Sequence, residues 1–159
     1  MKKQNFNFIS KNGANKELDL SKLANNEKLT KAIKKFFEKP ARETEKVFIK
    51  EILNANYLIP VKFEGHVKDG IMQEGSQISF VYIKDINGKK FSPIFTSYEE
   101  LKKWNKDHEQ MVVMPYEQAI ATLLDAGFEL EGISINPFSE NIILNNEKIN
   151  YIKNYDFNK

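Results

Sequence analysis

The clearest pattern of apolar and polar positions lies in residues 111–144. It opens with four consecutive apolar residues from Met111 to Met114, a run typical of a strand covered on both faces. Pro115 follows, and proline suits the first turn of a helix because its missing N–H has no partner there. Apolar residues then recur at helical spacing, which predicts a helix with one buried face: Tyr116, Ile120, Leu123 and Leu124.

The second part of this stretch predicts a helix end followed by two strands joined by a turn. Gly127 suits the left-handed position just past the helix, and Phe128 can fold back onto Leu123. Residues 133–135 alternate as a strand does. The Asn-Pro pair at 136–137 starts a turn, since asparagine bonds its own backbone and proline fixes φ, and residues 142–144 resume an extended structure.

The N-terminal part predicts a lead-in and two helices. Residues 1–25 are rich in Lys and Asn, and we expect them to be partly ordered. Asn26 is a candidate N-cap for a helix that ends before Pro40. The second helix runs to about Asn54. These helices either pack on the sheet, the interpretation we favour, or present a partner-binding face. The first helix carries Leu29, Ile33, Phe36 and Phe37 on one side.

The middle of the chain predicts strands. Residues 57–63 form the first, and because Pro60 cannot donate a backbone hydrogen bond, this strand is either an edge strand or has a gap in its pairing. Residues 64–76 form a polar loop with three glycines. Residues 77–84 alternate as a second strand.

An Asn-Gly pair at 87–88 predicts a tight hairpin, because both residues readily take positive φ. The partner strand spans residues 89–96. Ser97 then caps a helix, with Glu100 completing a capping box and Trp104 anchoring the helix on the core.

These elements predict an α+β fold: a mixed β-sheet with an Asn-Gly hairpin, helices packed on the sheet, and two N-terminal helices. A short terminal helix is expected from Ile149, Ile152 and Tyr155. At 159 residues the chain suits one domain, which we expect to span residues 26–159 after the lead-in.

Composition narrows the possible functions. The chain has no cysteine, which excludes thiol catalysis, disulfides and cysteine-ligated metal sites. The net charge is +2, so acidic and basic residues nearly balance, and the sequence has no basic stripe that would indicate a nucleic-acid surface. No apolar run is long enough to span a membrane, and residues 4–13 are too polar for a signal-peptide core. We therefore expect a cytoplasmic protein that binds neither nucleic acid nor membrane.

Several motifs together resemble the amino-terminal domain of the SseB family. They are ANYLIPV at 55–61, FTSYEEL at 95–101, YEQAI at 116–120 and GISINPFSENIIL at 132–144. The resemblance runs from about Glu27 to about Leu144 and implies the fold. The family offers no established catalytic residues to transfer. Many members carry a second, carboxy-terminal domain, for which this chain leaves no room, so the resemblance implies a single-domain member.

The residues offer no convincing catalytic set. His66 lies near Glu64, Asp69 and Glu74 and could bind a metal loosely, while His108 stands between acidic neighbours far along the chain. Neither histidine has the spacing that places two ligands on one helical face, so we interpret both as solvated loop residues. No phosphate-binding loop, dinucleotide fingerprint or serine elbow is present in the sequence. We predict no cofactor and no metal.

The turn around Asn136, Pro137 and Phe138 is the leading candidate for a binding surface. Phe138 either folds inward as a plug, the interpretation we favour, or stays exposed as a contact for a partner. The loop of residues 64–76, with His66, could form an adaptable rim. We predict a non-enzymatic domain that binds another protein or peptide. The alternatives are an antitoxin-like or secretion-associated accessory protein and, third, an enzyme that uses His66 with carboxylates.

Overall fold

The computed structural model of the chain describes residues 7–10, 26–69, 71–108, 110–124 and 129–159. Over these ranges the chain forms five helices and ten strands, so the predicted α+β fold with two N-terminal helices is confirmed. The helices are α1 (Glu27–Glu38), α2 (Arg42–Asn54), α3 (Tyr98–Trp104), α4 (Tyr116–Leu124) and α5 (Asn146–Lys153). The strands are β1 (Asn7–Ser10), β2 (Asn56–Glu64), β3 (Val67–Lys68), β4 (Ile71–Met72), β5 (Gln77–Phe80), β6 (Ile83–Lys84), β7 (Lys90–Ile94), β8 (Gln110–Pro115), β9 (Gly132–Ile135) and β10 (Ile142–Asn145).

The described strands form two four-stranded sheets and a separate two-stranded hairpin of β3 and β4. The first sheet has the order β1-β8-β2-β5, and all its neighbouring strands are antiparallel. The second sheet has the order β10-β9-β7-β6 and is mixed, because β7 and β9 run parallel. Leu58 and Phe95 join the two sheets by exchanging both backbone hydrogen bonds, at 2.8 and 2.9 Å.

The single strand predicted over residues 77–84 is in fact two strands in different sheets. β5 pairs with β2 only from Val61 onward, and β6 pairs with β7. Pro60 explains the break. The backbone of Leu58 is hydrogen-bonded to Phe95, and on the same side of β2 Pro60 has no N–H with which to continue the pairing. The chain therefore leaves the first sheet after Phe80. Of the two alternatives for Pro60, the gap in pairing is correct.

Strand β8 is covered on both faces, as predicted. Val112 and Met114 belong to the main apolar core, while Met111 belongs to a smaller core under α3. All three side chains are buried. Hydrogen-bonded pairing with β1 on one side and β2 on the other makes β8 central to its sheet. Strand β1 was not predicted; it lies within the lead-in, and the remainder of residues 1–25 lies outside the described residues.

Helices α1 and α2 pack against the main core through Leu29, Ile33, Phe48, Ile49 and Ile52. Packing on the sheet is therefore confirmed for this pair. Asn26 precedes α1 as predicted, but its side chain makes no capping bond. Its amide nitrogen instead donates to the carbonyl oxygens of Asn56 at 2.8 Å and Thr96 at 2.9 Å, which ties the start of α1 to both sheets.

The remaining predicted elements follow local sequence. In the hairpin between β6 and β7, only Gly88 has positive φ, at 79°, and Lys89 O accepts from Asp85 N, so the loop has three residues rather than two. Ser97 Oγ accepts from Glu100 N at 3.2 Å and caps α3. Helix α4 begins directly after Pro115, and the predicted helix end at Gly127 and Phe128 lies outside the described residues.

The predicted terminal helix is confirmed as α5. Asn145 Oδ1 caps it by accepting from Lys148 N at 2.9 Å. Ile149 and Ile152 are its buried residues, so one side of α5 packs on the main core. Across the part of the chain that the structure describes, no helix combines the length and apolar character needed to cross a membrane.

Candidate functional site

An apolar groove lies between α1, α2, α5 and strand β10, and we call it the β10 groove. Its volume is about 420 Å³, within the range of pockets that hold ligands or peptide side chains. The lining comes from parts of the chain more than a hundred residues apart. It consists of Phe36, Phe37, Glu45, Phe48, Ile49, Asn141, Ile142, Ile143, Leu144, Lys148, Tyr151 and Ile152.

Three phenylalanines form one wall of the groove. The rings of Phe36 and Phe48 stack with centroids 4.9 Å apart and an angle of 10° between planes. Phe37 lies tilted against Phe48 at 6.3 Å. Phe48 is buried, whereas Phe37 is 51% exposed. Phe36 and Phe37 both lie near the end of α1, and of the two only Phe36 packs against the main core.

The opposite wall is α5, and a hydrogen bond links it to α2. Tyr151 is 53% exposed, and its hydroxyl donates to Glu45 Oε1 at 2.6 Å. This hydrogen bond is the main reason that the pKa of the Tyr151 hydroxyl is raised above its usual value. Lys148 also lines the groove, and it forms no ion pair within the described ranges. The groove is thus apolar inside, with one unpaired positive charge at its rim.

Strand β10 forms the floor. Residues 141–144 all line the groove, three of them in β10 and one immediately before it. Ile142 and Leu144 are buried in the main core, and Ile143 is half-buried. β10 is the outermost strand of its sheet and is hydrogen-bonded to β9 on one side.

The predicted partner-binding residue Asn136 is only 2% exposed, so it cannot contact a partner directly. Its side-chain oxygen accepts from Thr96 N at 3.0 Å, and its side-chain nitrogen donates to Thr96 Oγ1 at 2.9 Å and Glu140 Oε2 at 3.2 Å. Its φ of 50° is left-handed, a conformation that asparagine tolerates. Asn136 therefore holds the turn on the start of α3 rather than forming a binding surface.

Phe138 is 58% exposed, so the favoured prediction of an inward plug is wrong. The physical reason is that Asn136 already occupies the buried position under the turn and satisfies its polar groups there. Pro137 is half-buried beside it. The turn is also fixed from outside, because Ser139 Oγ donates to Glu100 Oε2 at 2.6 Å. The other oxygen of Glu100, Oε1, accepts from Lys103 Nζ at 2.8 Å. At the start of α3 only the Ser97 cap is formed, so the predicted capping box is incomplete.

His66 is exposed and lies far from this turn. The turn is anchored at Thr96, next to the Leu58–Phe95 bridge, whereas His66 follows the other end of β2 after Glu64. Six residues of extended strand separate Leu58 from Glu64, which is about 20 Å. The structure therefore does not bring His66 together with Asn136, Pro137 and Phe138. Within the described ranges, no three histidine or carboxylate side chains are close enough to hold a metal ion.

His108 differs from the expected solvated histidine. Its ring packs on Trp104 with centroids 5.1 Å apart, and its Nε2 lies 2.6 Å from the carbonyl oxygen of Gln110. The side chain is half-buried, and it helps to close the loop between α3 and β8. His108 therefore has a structural role, and the interpretation of it as a solvated loop residue is wrong.

The β10 groove was missed by the sequence analysis, which assigned its residues to the core. One signal was available: Phe37 follows Phe36 directly, and adjacent helical residues cannot share one narrow face. One of the two rings therefore had to lie toward the margin of the buried face. The other half of the groove, in α5, could not be connected to Phe37 without the tertiary structure.

The fold and this groove define a small α+β domain with two linked sheets and an open apolar surface beside an outer strand. The chain belongs to the family described as SseB protein N-terminal domain, which matches residues 29–150. The match covers most of the chain, and it confirms the family resemblance seen in the sequence motifs. No curated protein and no solved structure matches the chain.

Proposed function

We propose that this chain is a non-enzymatic domain that binds another protein or peptide, and that the β10 groove is the binding surface. The observation that carries the proposal is the pair of half-exposed aromatic rings, Phe37 and Tyr151, on opposite walls of one apolar groove. Large rings gain free energy when a partner removes their remaining surface from water. Aromatic side chains in pockets are also the residues that dominate protein interfaces.

The proposal moves the binding surface away from the turn at residues 136–141. Asn136 is buried there, and His66 follows the end of β2 opposite to Leu58, so neither residue supports a surface at the turn. Phe138 remains a single exposed ring. A single exposed apolar residue is common on protein surfaces, whereas several converging in a groove are not. We place this function in the cytoplasm, in line with a chain that has no cysteine for the disulfides of oxidising compartments.

Matched variants can test this proposal. Partners would be recovered from cells of the source organism with the wild-type chain and with Phe37→Asp, Phe138→Asp and Ile86→Asp. Each variant places a carboxylate at an exposed apolar position, and Ile86 is fully exposed at the hairpin tip. We expect only Phe37→Asp to lose a specific partner, because only that variant puts a charge inside the groove.

Circular dichroism and thermal unfolding of all three variants provide the folding control. Loss of the partner with Phe138→Asp alone would assign binding to the turn and overturn the groove. Unchanged recovery with all three folded variants would also refute the proposal. If the proposal is correct, a crosslinking amino acid introduced at Phe37 should attach to the partner that Phe37→Asp loses, while one at Ile86 should not.

A further inference from the structure

We propose that the β10 groove takes its partner in an extended conformation, as a strand added to the open edge of β10. This inference rests on the proposed function, and it specifies the chemistry of the ligand: a short peptide segment with apolar side chains at alternate positions and an acidic side chain near one end.

The first argument is the hydrogen-bonding capacity of β10. The strand is the last in the order β10-β9-β7-β6, and it pairs with β9 through residues 142–145. Alternate residues of a strand direct their N–H and C=O groups to opposite sides, so part of this backbone faces away from β9. Within the described residues no other strand pairs with β10. Such an edge is a template for an added strand, and several peptide-binding domains use this mode.

The second argument is the position of the groove along that edge. Ile142 and Leu144 belong to the main core, whereas Ile143, between them, belongs to neither core cluster and is half-buried. Successive side chains in a strand point to opposite faces. The groove is lined by all three residues, so it follows the length of β10 rather than a single side chain.

The third argument is that β10, although only four residues long, lacks three of the features that blunt an open edge. Proteins protect such edges with lysine, proline or a bulge. Residues 142–145 of β10 are Ile, Ile, Leu and Asn, and their pairing with β9 is continuous. The strand extends about 13 Å at a rise of about 3.3 Å per residue, which is room for four residues of a partner.

The walls determine which side chains the added strand should carry. Phe48 belongs to the main core and Phe36 packs against it, and Tyr151 lines the same groove. Every second side chain of an added strand would face these rings, and the side chains between them would face outward. This predicts apolar residues with a period of two. A helix in the same groove would need apolar residues at a spacing of three and four.

The charge at the rim favours an acidic residue. Glu45 and Lys148 both line the groove, so the groove has one charge of each sign. Glu45 accepts a hydrogen bond from Tyr151, at 2.6 Å, whereas Lys148 has no carboxylate within ion-pair distance among the described residues. An acidic side chain in the partner can therefore pair with Lys148. Because Lys148 is exposed, we expect this pair to change affinity only about threefold.

Two displayed libraries of eight-residue peptides provide the test. One library has apolar residues at every second position, and the other has them at helical spacing. Both would be selected on the wild-type chain and counter-selected on Phe37→Asp, with Ile86→Asp as the folded control. We expect the alternating library to enrich. In the best peptide, N-methylation of single backbone nitrogens should weaken binding about tenfold at every second position, because only those N–H groups pair with β10.

The outcomes separate this inference from the proposed function. Enrichment of the helical library, or N-methyl effects with no period of two, would overturn strand addition while leaving the groove as a peptide site. Failure of both libraries to distinguish wild type from Phe37→Asp would count against the groove itself. The chain alone can also be examined by sedimentation. A dimer that Phe37→Asp dissociates would mean that a second copy of the chain occupies the groove, and it would overturn the peptide proposal. Protection of alternate β10 amides from hydrogen exchange on peptide binding would support it.

Discussion

Replacement of Asn136 should destabilise the whole domain, because this side chain connects the second sheet to the start of α3. Its amide group makes three hydrogen bonds, two of them to Thr96, and it is almost completely buried. Its backbone carbonyl also accepts from Ser139 N and Asn141 N, at 3.0 and 2.9 Å. The residue has a left-handed φ of 50°. Hydrogen bonding and backbone conformation thus both depend on asparagine at this position.

The magnitude follows from these two contributions. Removing the side chain leaves the buried N–H of Thr96 without its acceptor, which costs about 1–3 kcal/mol. Alanine at a left-handed φ costs roughly 1–2 kcal/mol more, whereas glycine adopts that conformation without strain. We therefore expect Asn136→Ala to lower the free energy of unfolding by about 3 kcal/mol. Asn136→Gly should lower the free energy of unfolding by about 2 kcal/mol. It loses the hydrogen bonds, and glycine gives the unfolded chain more conformational freedom, but glycine adopts the left-handed φ without strain.

Urea unfolding followed by tryptophan fluorescence can measure both values. Trp104 is the single tryptophan, and it packs against Phe95 at a centroid distance of 6.0 Å, close to this network. With a slope of about 2 kcal/mol per molar urea, Asn136→Ala should move the midpoint down by about 1.5 M. Asn87→Ala is the matched control, since Asn87 is exposed in a turn and should change stability by less than about 0.5 kcal/mol. An Asn136→Ala midpoint within 0.25 M of wild type (about 0.5 kcal/mol at that slope) would refute the assigned role.

Three further predictions concern buried tyrosines and the hairpin. Tyr116→Phe should leave stability at pH 7 unchanged or raise it, because the buried Tyr116 hydroxyl has no hydrogen-bond partner among the described residues. Tyr57→Phe should lower it by about 1 kcal/mol, because it removes the 2.7 Å hydrogen bond to Ile52 O. Urea midpoints compare the two variants. Burial raises the pKa of Tyr116 from 10.0 to about 12, so between these values the unfolded state loses a proton that the native state keeps. The contribution of Tyr116 to stability is therefore full below pH 10 and falls by up to about 3 kcal/mol toward pH 12, in addition to the fall from buried Tyr57, whose pKa is also raised. A pH series in which Tyr116→Phe falls as steeply as the wild-type chain would contradict this. Gly88→Ala should cost about 1 kcal/mol in thermal unfolding through its φ of 79° alone, because an added Cβ meets nothing within 4 Å.

The sequence was sufficient for elements whose signals are local. The helix cap at Ser97, the hairpin around Asn87-Gly88 and helix α4 each depend on residues that are close in sequence, and all three elements are present. In the hairpin, however, only Gly88 takes the positive φ expected of both residues. The division into two sheets was not predictable in the same way. It depends on Leu58 pairing with Phe95 across the fold and on Pro60 then ending the ladder with β5.

Burial of Asn136 shows why a correct turn can still give a wrong binding residue. The Asn-Pro signal predicted the turn, but polar residues in turns are usually solvated, so Asn136 was expected at the surface. The structure places Thr96, forty residues earlier, directly against it. Asn136 fills the buried position below the turn, and Phe138, two residues later, is exposed. Both corrections therefore follow from a single contact between distant parts of the chain.

The β10 groove could not be predicted for a different reason. Whether a strand lies at the edge of a sheet depends on its neighbours in the fold, which its own residues do not reveal. Ile142, Ile143 and Leu144 have the same apolar character that a central strand would have. Phe37 and Tyr151 likewise resemble core residues, and only their half-exposed rings distinguish them. In β8 a similar apolar run is hydrogen-bonded to strands on both sides, whereas among the described residues β10 pairs only with β9. The same apolar pattern therefore occurs in a central strand and in an outer one, and only the tertiary structure distinguishes the two.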